Sequence, residues 1–237
     1  MSTVQNIRSS VTNGLSLYWD AANPRSFISG STLWNDLTLN TNNGILTNGP
    51  VYSGTSAGGI VLDGVDDLIY VPFILNTSTN FTIEVVAKCN NMISDPSPQV
   101  RQTIWSFTSG SSQGYQLLDL EVWNDGLTSF NGDNTNYGTS LIGNFSPIGA
   151  NNINVYTLSK SGTSQSWYIN SVFKGIVTQT YTGTSQYFKL GARGTGATGT
   201  GQQWNGIIYT VKIYNRALSA LEVLQNYNST KVRFNLP

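Results

Sequence analysis

The sequence contains no histidine, and that absence removes Ser-His-Asp triads, Cys-His pairs, H-E-x-x-H zinc sites and the commonest general base. Cys89 is the sole cysteine. It can close no internal disulfide, and its setting in EVVAKCNN is that of a strand end, not of an electropositive thiolate site. Any catalysis would therefore rest on the twelve carboxylates. Three of them fall within five positions of LDGVDDLIYVP, residues 62–72. Asp66 and Asp67 are neighbours just ahead of a strand, where alternation sends adjacent side chains in different directions, which argues against an acid/base pair. Two readings stay open. In one, Gly64 takes a positive φ and the aspartates bond nearby backbone N–H groups in a turn. In the other, Asp66 and Asp67 help to bind calcium, which wants six to eight oxygens, although DGVDD lacks the Asp-x-Asp-x-Asp-Gly spacing that would make the signal specific.

A second group with recognition chemistry is Trp123, Asn124, Asp125 and Tyr137. Glycan binding stacks a sugar on an exposed aromatic with amides and carboxylates alongside, and these residues near a loop fit it. Six Trp and twelve Tyr in a sandwich are more often core than binding surface. GTGATG, residues 194–199, satisfies G-x-G-x-x-G, but TGQQWNGIIYTVKIY follows it and reads as a strand. A dinucleotide loop needs a helix there to hold the pyrophosphate, and no Lys-Ser/Thr follows the glycines to make a Walker A loop. The Gly-rich run 191–203 is expected to be a flexible loop between two strands.

The elements that must position these residues are short β-branched and aromatic runs separated by Gly/Asn/Asp/Ser clusters, among them GLSLYWD, DLIYVP, FTIEVVAK, YQLLDLEVW, YFKLG and WNGIIYTVKIY. That spacing predicts a β-sandwich or barrel. In residues 81–88, Phe81, Ile83, Val85 and Ala87 share one face and are assigned to the core, while Thr82, Glu84, Val86 and Lys88 share a partly wet face. Asn124–Gly126 supplies the positive-φ residues of a tight hairpin. One helix is legible: Ser219 as N-cap, Glu222 completing a capping box, and Leu218 with Val223 as a hydrophobic staple. It is expected over about Ala220 to Tyr227, docking through Leu221, Leu224 and Tyr227.

At 237 residues a single all-β domain is expected. Twelve basic residues balance twelve acidic ones, so no global field recruits nucleic acid or an anionic membrane. No apolar run approaches the roughly 20 residues needed to span a bilayer, and MSTVQNIRSSVTNGL carries no signal-peptide core, so neither membrane insertion nor signal-led export is expected. The balance hides an asymmetry: residues 26–87 hold five acids and no base, whereas 160–237 hold eight bases and one acid, Glu222. Pairing within the sandwich or between copies accounts for it, with a polyanion groove as the minority reading.

Six stretches stand in one order: GLSLYWDAANPRSF, LWNDLTLNTNNGILTNGPVY, IVLDGVDDLIYVP, FTIEVVAK, SWYINSVFKG and WNGIIYTVKIYNRALSALEVLQNYN. With them the chain resembles the laminin-G-like branch of the concanavalin A-like lectin/glucanase superfamily over roughly residues 14–230. The resemblance implies an all-β jelly-roll sandwich of two antiparallel sheets with one short C-terminal helix, an N-terminal arm at 1–13 and a tail at 231–237. Ile169–Ser171 departs from it, where the family places an Asn-Gly turn, so that hairpin is expected to be longer or differently twisted. The resemblance also strengthens the calcium reading at Asp66 and Asp67; no other cofactor is expected. The glucanase branch carries Glu-x-Asp-x-Glu on one strand, and the best alignment here is Leu117, Asp119, Glu121. Leucine stands at the nucleophile position, and a retaining mechanism needs two carboxyl groups about 5 Å apart. Asp119 and Glu121 are then either a nonstandard pair or the solvated face of a hairpin strand, and no catalytic residue is assigned.

The opening and closing stretches are especially similar to modules of tailed-phage structural proteins. This implies a nonenzymatic virion surface protein assembled in the host cytoplasm, either a head decoration or a tail-associated adhesion protein. Its partners would be copies of itself in a homo-oligomer, other virion proteins and, weakly, host-surface glycan. The alternative is a carbohydrate-binding module or glycoside-cleaving enzyme on the same fold.

Overall fold

Period-two runs of Val, Ile, Tyr, Phe and Trp become strands because each pleated segment buries one face and turns at the next Gly/Asn/Asp cluster. The computed structural model of the chain describes residues 9–90, 101–108, 116–123, 128–132, 151–178, 183–194, 197–198 and 201–237. Within them run β1 (Leu15–Asp20), β2 (Leu33–Trp34), β3 (Gly44–Thr47), β4 (Val51–Ser53), β5 (Gly59–Asp63), β6 (Leu68–Pro72), β7 (Phe81–Cys89) and β8 (Arg101–Thr108). There follow β9 (Gln116–Trp123), β10 (Thr128–Gly132), β11 (Ile153–Ser161), β12 (Ser164–Ile169), β13 (Val172–Thr178), β14 (Tyr187–Leu190), β15 (Asn205–Tyr214) and one helix, α1 (Ala220–Phe234).

Among the described residues these strands form two antiparallel sheets. The eight-stranded sheet has the order β13-β12-β11-β7-β15-β5-β4, with β1 also paired to β15. The seven-stranded sheet has the order β10-β9-β8-β14-β6-β3-β2. The two enclose a core in which Trp19 stacks on Trp34 at 5.4 Å between ring centroids. Trp105, Trp167, Phe107 and Phe188 pack there with Ile83, Val85, Val211 and Ile213. Five of the six tryptophans, Trp19, Trp34, Trp105, Trp167 and Trp204, are buried, so the core reading of the aromatics holds for these. β9 pairs with β10 through Val122 opposite Thr128, which places the expected hairpin between them, although its turn lies outside the described residues.

Four expectations are corrected. The outer face of β7 is not wet: Thr82, Glu84 and Val86 are buried, because α1 covers the outer face of the eight-stranded sheet. The helix does not stop at Tyr227 but continues to Phe234, so residues 231–234 are its last turn instead of a tail. Its buried stripe is Val223, Asn226, Tyr227, Thr230 and Phe234, while Leu221 and Leu224 are exposed. The sheet beneath selects that stripe, since Tyr227 and Phe234 pack on Val86, Val155, Ile207 and Tyr209. Ser9–Asn13 of the expected arm dock beside the helix, with Val11 N–H donating to Asn226 Oδ1 at 2.8 Å. The Ile169–Ser171 hairpin is a two-residue turn after all: Ile169 pairs with Val172, and Asn170 and Ser171 both have positive φ, 52° and 62°. Serine thus takes the left-handed position where glycine carries no penalty.

The helix start is as expected. Ser219 Oγ accepts from the Glu222 N–H while the Glu222 carboxylate accepts from the Ser219 N–H, and Arg216 closes two bonds onto Glu222 at 3.0 and 2.6 Å. Arg216 and the Ser219 amide hold the Glu222 carboxyl down from 4.5 to about 2. A depressed carboxylate pKa stabilises the fold above the unfolded value, so this contribution is present above about pH 4.5 and disappears as pH falls towards 2. Ser219→Ala is expected to cost about 0.5–2 kcal/mol at neutral pH, read as a lower denaturation midpoint. An unchanged midpoint would mean that the cap contributes nothing.

Four of the eight bases in 160–237 are paired inside the sandwich, and of the five acids in 26–87 Glu84 is the one that takes part among the described residues. Lys212 pairs with Glu84 at 2.9 Å, Arg216 with Glu222 at 2.6 Å, Arg233 with Asp20 at 2.7 Å, and Arg193 with both Asp119 and Glu121. Lys212 and Arg216, both in the basic stretch 160–237, are engaged within the chain.

Candidate functional site

The outer face of the seven-stranded sheet carries a row of polar and aromatic residues set by cross-strand register. Tyr70 on β6 lies opposite Lys189 on β14, Lys189 opposite Ser106 on β8, and Ser106 opposite Asp119 on β9. Alternation fixes the face, because Ile69, Val71, Phe188, Leu190, Trp105, Phe107, Leu118 and Leu120 all point into the core. Tyr187, two residues before Lys189, shares this outer face and meets Tyr70 edge to face at 6.3 Å. Both rings are half-buried, each with part of its surface exposed.

Beyond Leu190 the chain continues along β8, with Gly191 N–H donating to Ile104 O and Ser106 Oγ donating to Ala192 O. This run delivers Arg193 to the two acids of β9. Its Nε lies 3.3 Å from Asp119 Oδ2 and its Nη1 3.1 Å from Glu121 Oε1. Gln202 completes the cluster, its amide nitrogen donating to Glu121 and its oxygen accepting from Arg193. Asp119 and Glu121 are wholly buried, whereas 22% of the Arg193 side chain is exposed. The solvated-face reading of Asp119 and Glu121 is therefore corrected: the pair shares an outer face, as alternation requires, but it lies beneath the surface and holds a guanidinium. Lys189 is also buried and donates to Gly194 O at 3.1 Å; burial pulls its ammonium down to about 8.

This arrangement suits binding better than bond cleavage. A retaining or inverting hydrolase needs one carboxyl that reaches the leaving oxygen and another that reaches the sugar or a water. Here both carboxylates face the same arginine. What reaches solvent is a pair of tyrosine rings and a guanidinium fixed by two acids, the combination of apolar platform and rigid donors that recognition sites use. Tyr187 and Lys189 were visible in the alternation of YFKL. Arg193 carried no sequence signal, since it sits in a Gly-rich run whose partners lie more than seventy residues away.

The other candidates fall elsewhere. Trp123 is the last residue of β9, with Arg101 as its partner across the strands; Asn124, Asp125 and Tyr137 lie outside the described residues. The aspartates of 62–72 form the turn: Gly64 has φ 80°, Asp63 Oδ1 accepts from Val65 N–H at 2.8 Å, and Asp67 Oδ2 accepts from Asp63 N–H at 3.0 Å. Asp66 is exposed, Asp67 is buried, and carboxylate oxygens of Asp63, Asp66 and Asp67 lie within 4.8 Å of one another. Burial first, and then the charges of Asp63 and Asp66, raise the Asp67 pKa against the opposing hydrogen bond from Asp63 N–H. A raised carboxylate pKa makes the folded state bind more protons, so stability falls as pH rises from about 3.8 through the folded value and stays lower above it. Asp67→Asn keeps an acceptor for Asp63 N–H. It is expected to raise the melting temperature at pH 7 and to leave it unchanged near pH 3. The same melts test calcium: a cation present at 100 times its Kd adds about 2.7 kcal/mol, whereas equal melts in chelator and millimolar calcium leave the turn as the whole account.

Residues 63–224 match the laminin-G-like family model of the concanavalin A-like lectin/glucanases superfamily. The chain belongs to that superfamily. No curated protein matches it in sequence. Solved structures with the same lectin/glucanase fold include the Trypanosoma rangeli sialidase in complex with sialic acid, at TM-score 0.70 and 13% identity over 95% of this chain and 34% of the other. Domain 4 of AbnA, a GH43 extracellular arabinanase from Geobacillus stearothermophilus, in complex with arabinotriose, aligns at TM-score 0.66 and 19% identity over 90% of this chain and 98% of the other. The botulinum neurotoxin serotype D binding domain aligns at TM-score 0.67 and 14% identity over 90% and 51%. This superfamily member thus spans about a third of the sialidase chain.

Proposed function

We propose that the chain is a non-hydrolytic glycan-binding module that takes an oligosaccharide across the outer face of its seven-stranded sheet. The observation that carries this reading is the half-buried edge-to-face pair Tyr70–Tyr187 on the same face as an arginine clamped by Asp119 and Glu121. The tyrosines stack on sugar rings and Arg193 donates to hydroxyl or carboxylate oxygens. Asp119 and Glu121 position the arginine and take no part in cleavage. The arabinanase domain with arabinotriose and the sialidase with sialic acid support the assignment to carbohydrate, as neighbours in fold. The setting on a phage particle, with copies of the chain and other virion proteins as partners, rests on the resemblance of the opening and closing stretches. Quantitative mass spectrometry of purified virions tests it.

A glycan array on the purified chain, run beside reducing-sugar release from the glycans it retains, tests the main reading. Retention of a defined oligosaccharide class without sugar release is expected. An array with no retained glycan would overturn it.

A further inference from the structure

We propose that the pocket between α1 and the outer face of the eight-stranded sheet is a second binding site, for a single neutral sugar or polyol the size of a pyranose. It goes beyond the oligosaccharide reading, because it lies on the opposite side of the sandwich and shares no residue with the Tyr70–Arg193 face.

The pocket encloses about 300 Å³, the lower end of the range of small-molecule sites, which fits one ring and not a chain of them. Thr210 on β15 and Thr230 on α1 line it, only 5% and 8% exposed, and neither hydroxyl bonds another protein group among the described residues. A threonine in a helix ordinarily returns its hydroxyl to the preceding turn. Thr230 does not, and with Thr210 it leaves two hydroxyls open to one cavity, where a ligand with hydroxyls of its own can bond them.

The charges select a neutral guest. Lys212 and Arg233 bring two cations to the wall, but Glu84 and Asp20 balance them at 2.9 and 2.7 Å. An ion of either sign would meet a compensated site, whereas a polyol finds donors in Lys212 and Arg233, an acceptor in Asp20, and the ring of Phe234 at the wall. The backbone is arranged for it as well. β15 carries a bulge at Tyr209, with Ile208 paired to Ala87 and Thr210 to Val86. Tyr209 packs under the helix and Val211 in the core, which leaves Thr210 to the pocket. Bulges re-aim side chains in this way at functional sites. The turns of α1 beyond Tyr227 supply Thr230, Arg233 and Phe234.

The test titrates the isotope-labelled full chain separately with glucose, galactose, mannose and N-acetylglucosamine and follows backbone amide shifts. At least one sugar is expected to move Thr210, Ser229, Thr230 and Phe234 in a saturable, millimolar-range response. The near-isosteric pair Thr210→Val and Thr230→Val, which leaves the ion pairs intact, should weaken it about tenfold, while Tyr70→Ala with Tyr187→Ala should leave it unchanged. Shifts confined to β6 and β14, a response abolished by the tyrosine changes, or no shift in the pocket with any of the four sugars would overturn the proposal. If the array retains no oligosaccharide while the pocket still responds, the sheet-face reading fails and this one stands.

Discussion

Lys212→Met is expected to lower stability by about 3–5 kcal/mol, because it leaves the Glu84 carboxylate buried without its cation. The pair lies under α1, with side chains 3% and 1% exposed and Nζ 2.9 Å from Oε1. Among the described residues Glu84 would retain only the Asn226 amide at 3.1 Å, a neutral donor for a full charge. For a chain of this length that corresponds to a fall of roughly 10 °C in melting temperature, at about 2–4 °C per kcal/mol. Adding Glu84→Leu to Lys212→Met should recover most of the loss, since replacing a whole buried pair by apolar groups of similar volume is commonly neutral. A single variant that melts like the parent would show that the pair is solvated. Lys212→Glu should be worse still, as it sets two acids against each other; loss of a partner interaction in that variant would report unfolding and not a contact.

Arg193→Ala is the second large effect. It withdraws the guanidinium shared by two wholly buried carboxylates, at 3.3 Å from Asp119 and 3.1 Å from Glu121, and is expected to cost about 3–5 kcal/mol in stability. Glycan retention should disappear with it. Arg193→Lys separates the two roles: it restores charge, and so part of the stability, but an ammonium cannot reproduce the fork that spans both acids. Binding should therefore stay weak in the lysine variant while the melting temperature partly recovers. Full glycan affinity in Arg193→Lys would remove arginine geometry from the account.

The strands and the helix cap were legible because their causes are local: period-two alternation and a Ser-x-x-Glu box within four residues. The buried faces were harder to read. Alternation in residues 81–88 showed which residues share a side but not that α1 would cover the second side, so Glu84 read as a wet position until its partner Lys212, 128 residues away, was in place. The helix end was missed because Asn228, Ser229 and Thr230 are poor helix formers. Packing of Phe234 on Tyr209 at 5.0 Å and of Arg233 on Asp20 carries the helix through them. In the candidate site, Asp119 and Glu121 were found by alternation and their setting was not. Their environment is created by Arg193, which arrives from a different strand connection.

The most direct measurement of the central claim is calorimetric titration of an array-selected oligosaccharide into the parent chain and into Tyr70→Ala with Tyr187→Ala, alongside prolonged incubation of the parent with that oligosaccharide. The account predicts binding by the parent, affinity at least about tenfold weaker in the tyrosine variant, a difference of about 1.4 kcal/mol, and an intact oligosaccharide after incubation. Equal affinity in the two proteins would contradict the sheet-face site, and cleavage by the parent that vanishes in Asp119→Asn with Glu121→Gln would contradict the non-hydrolytic reading.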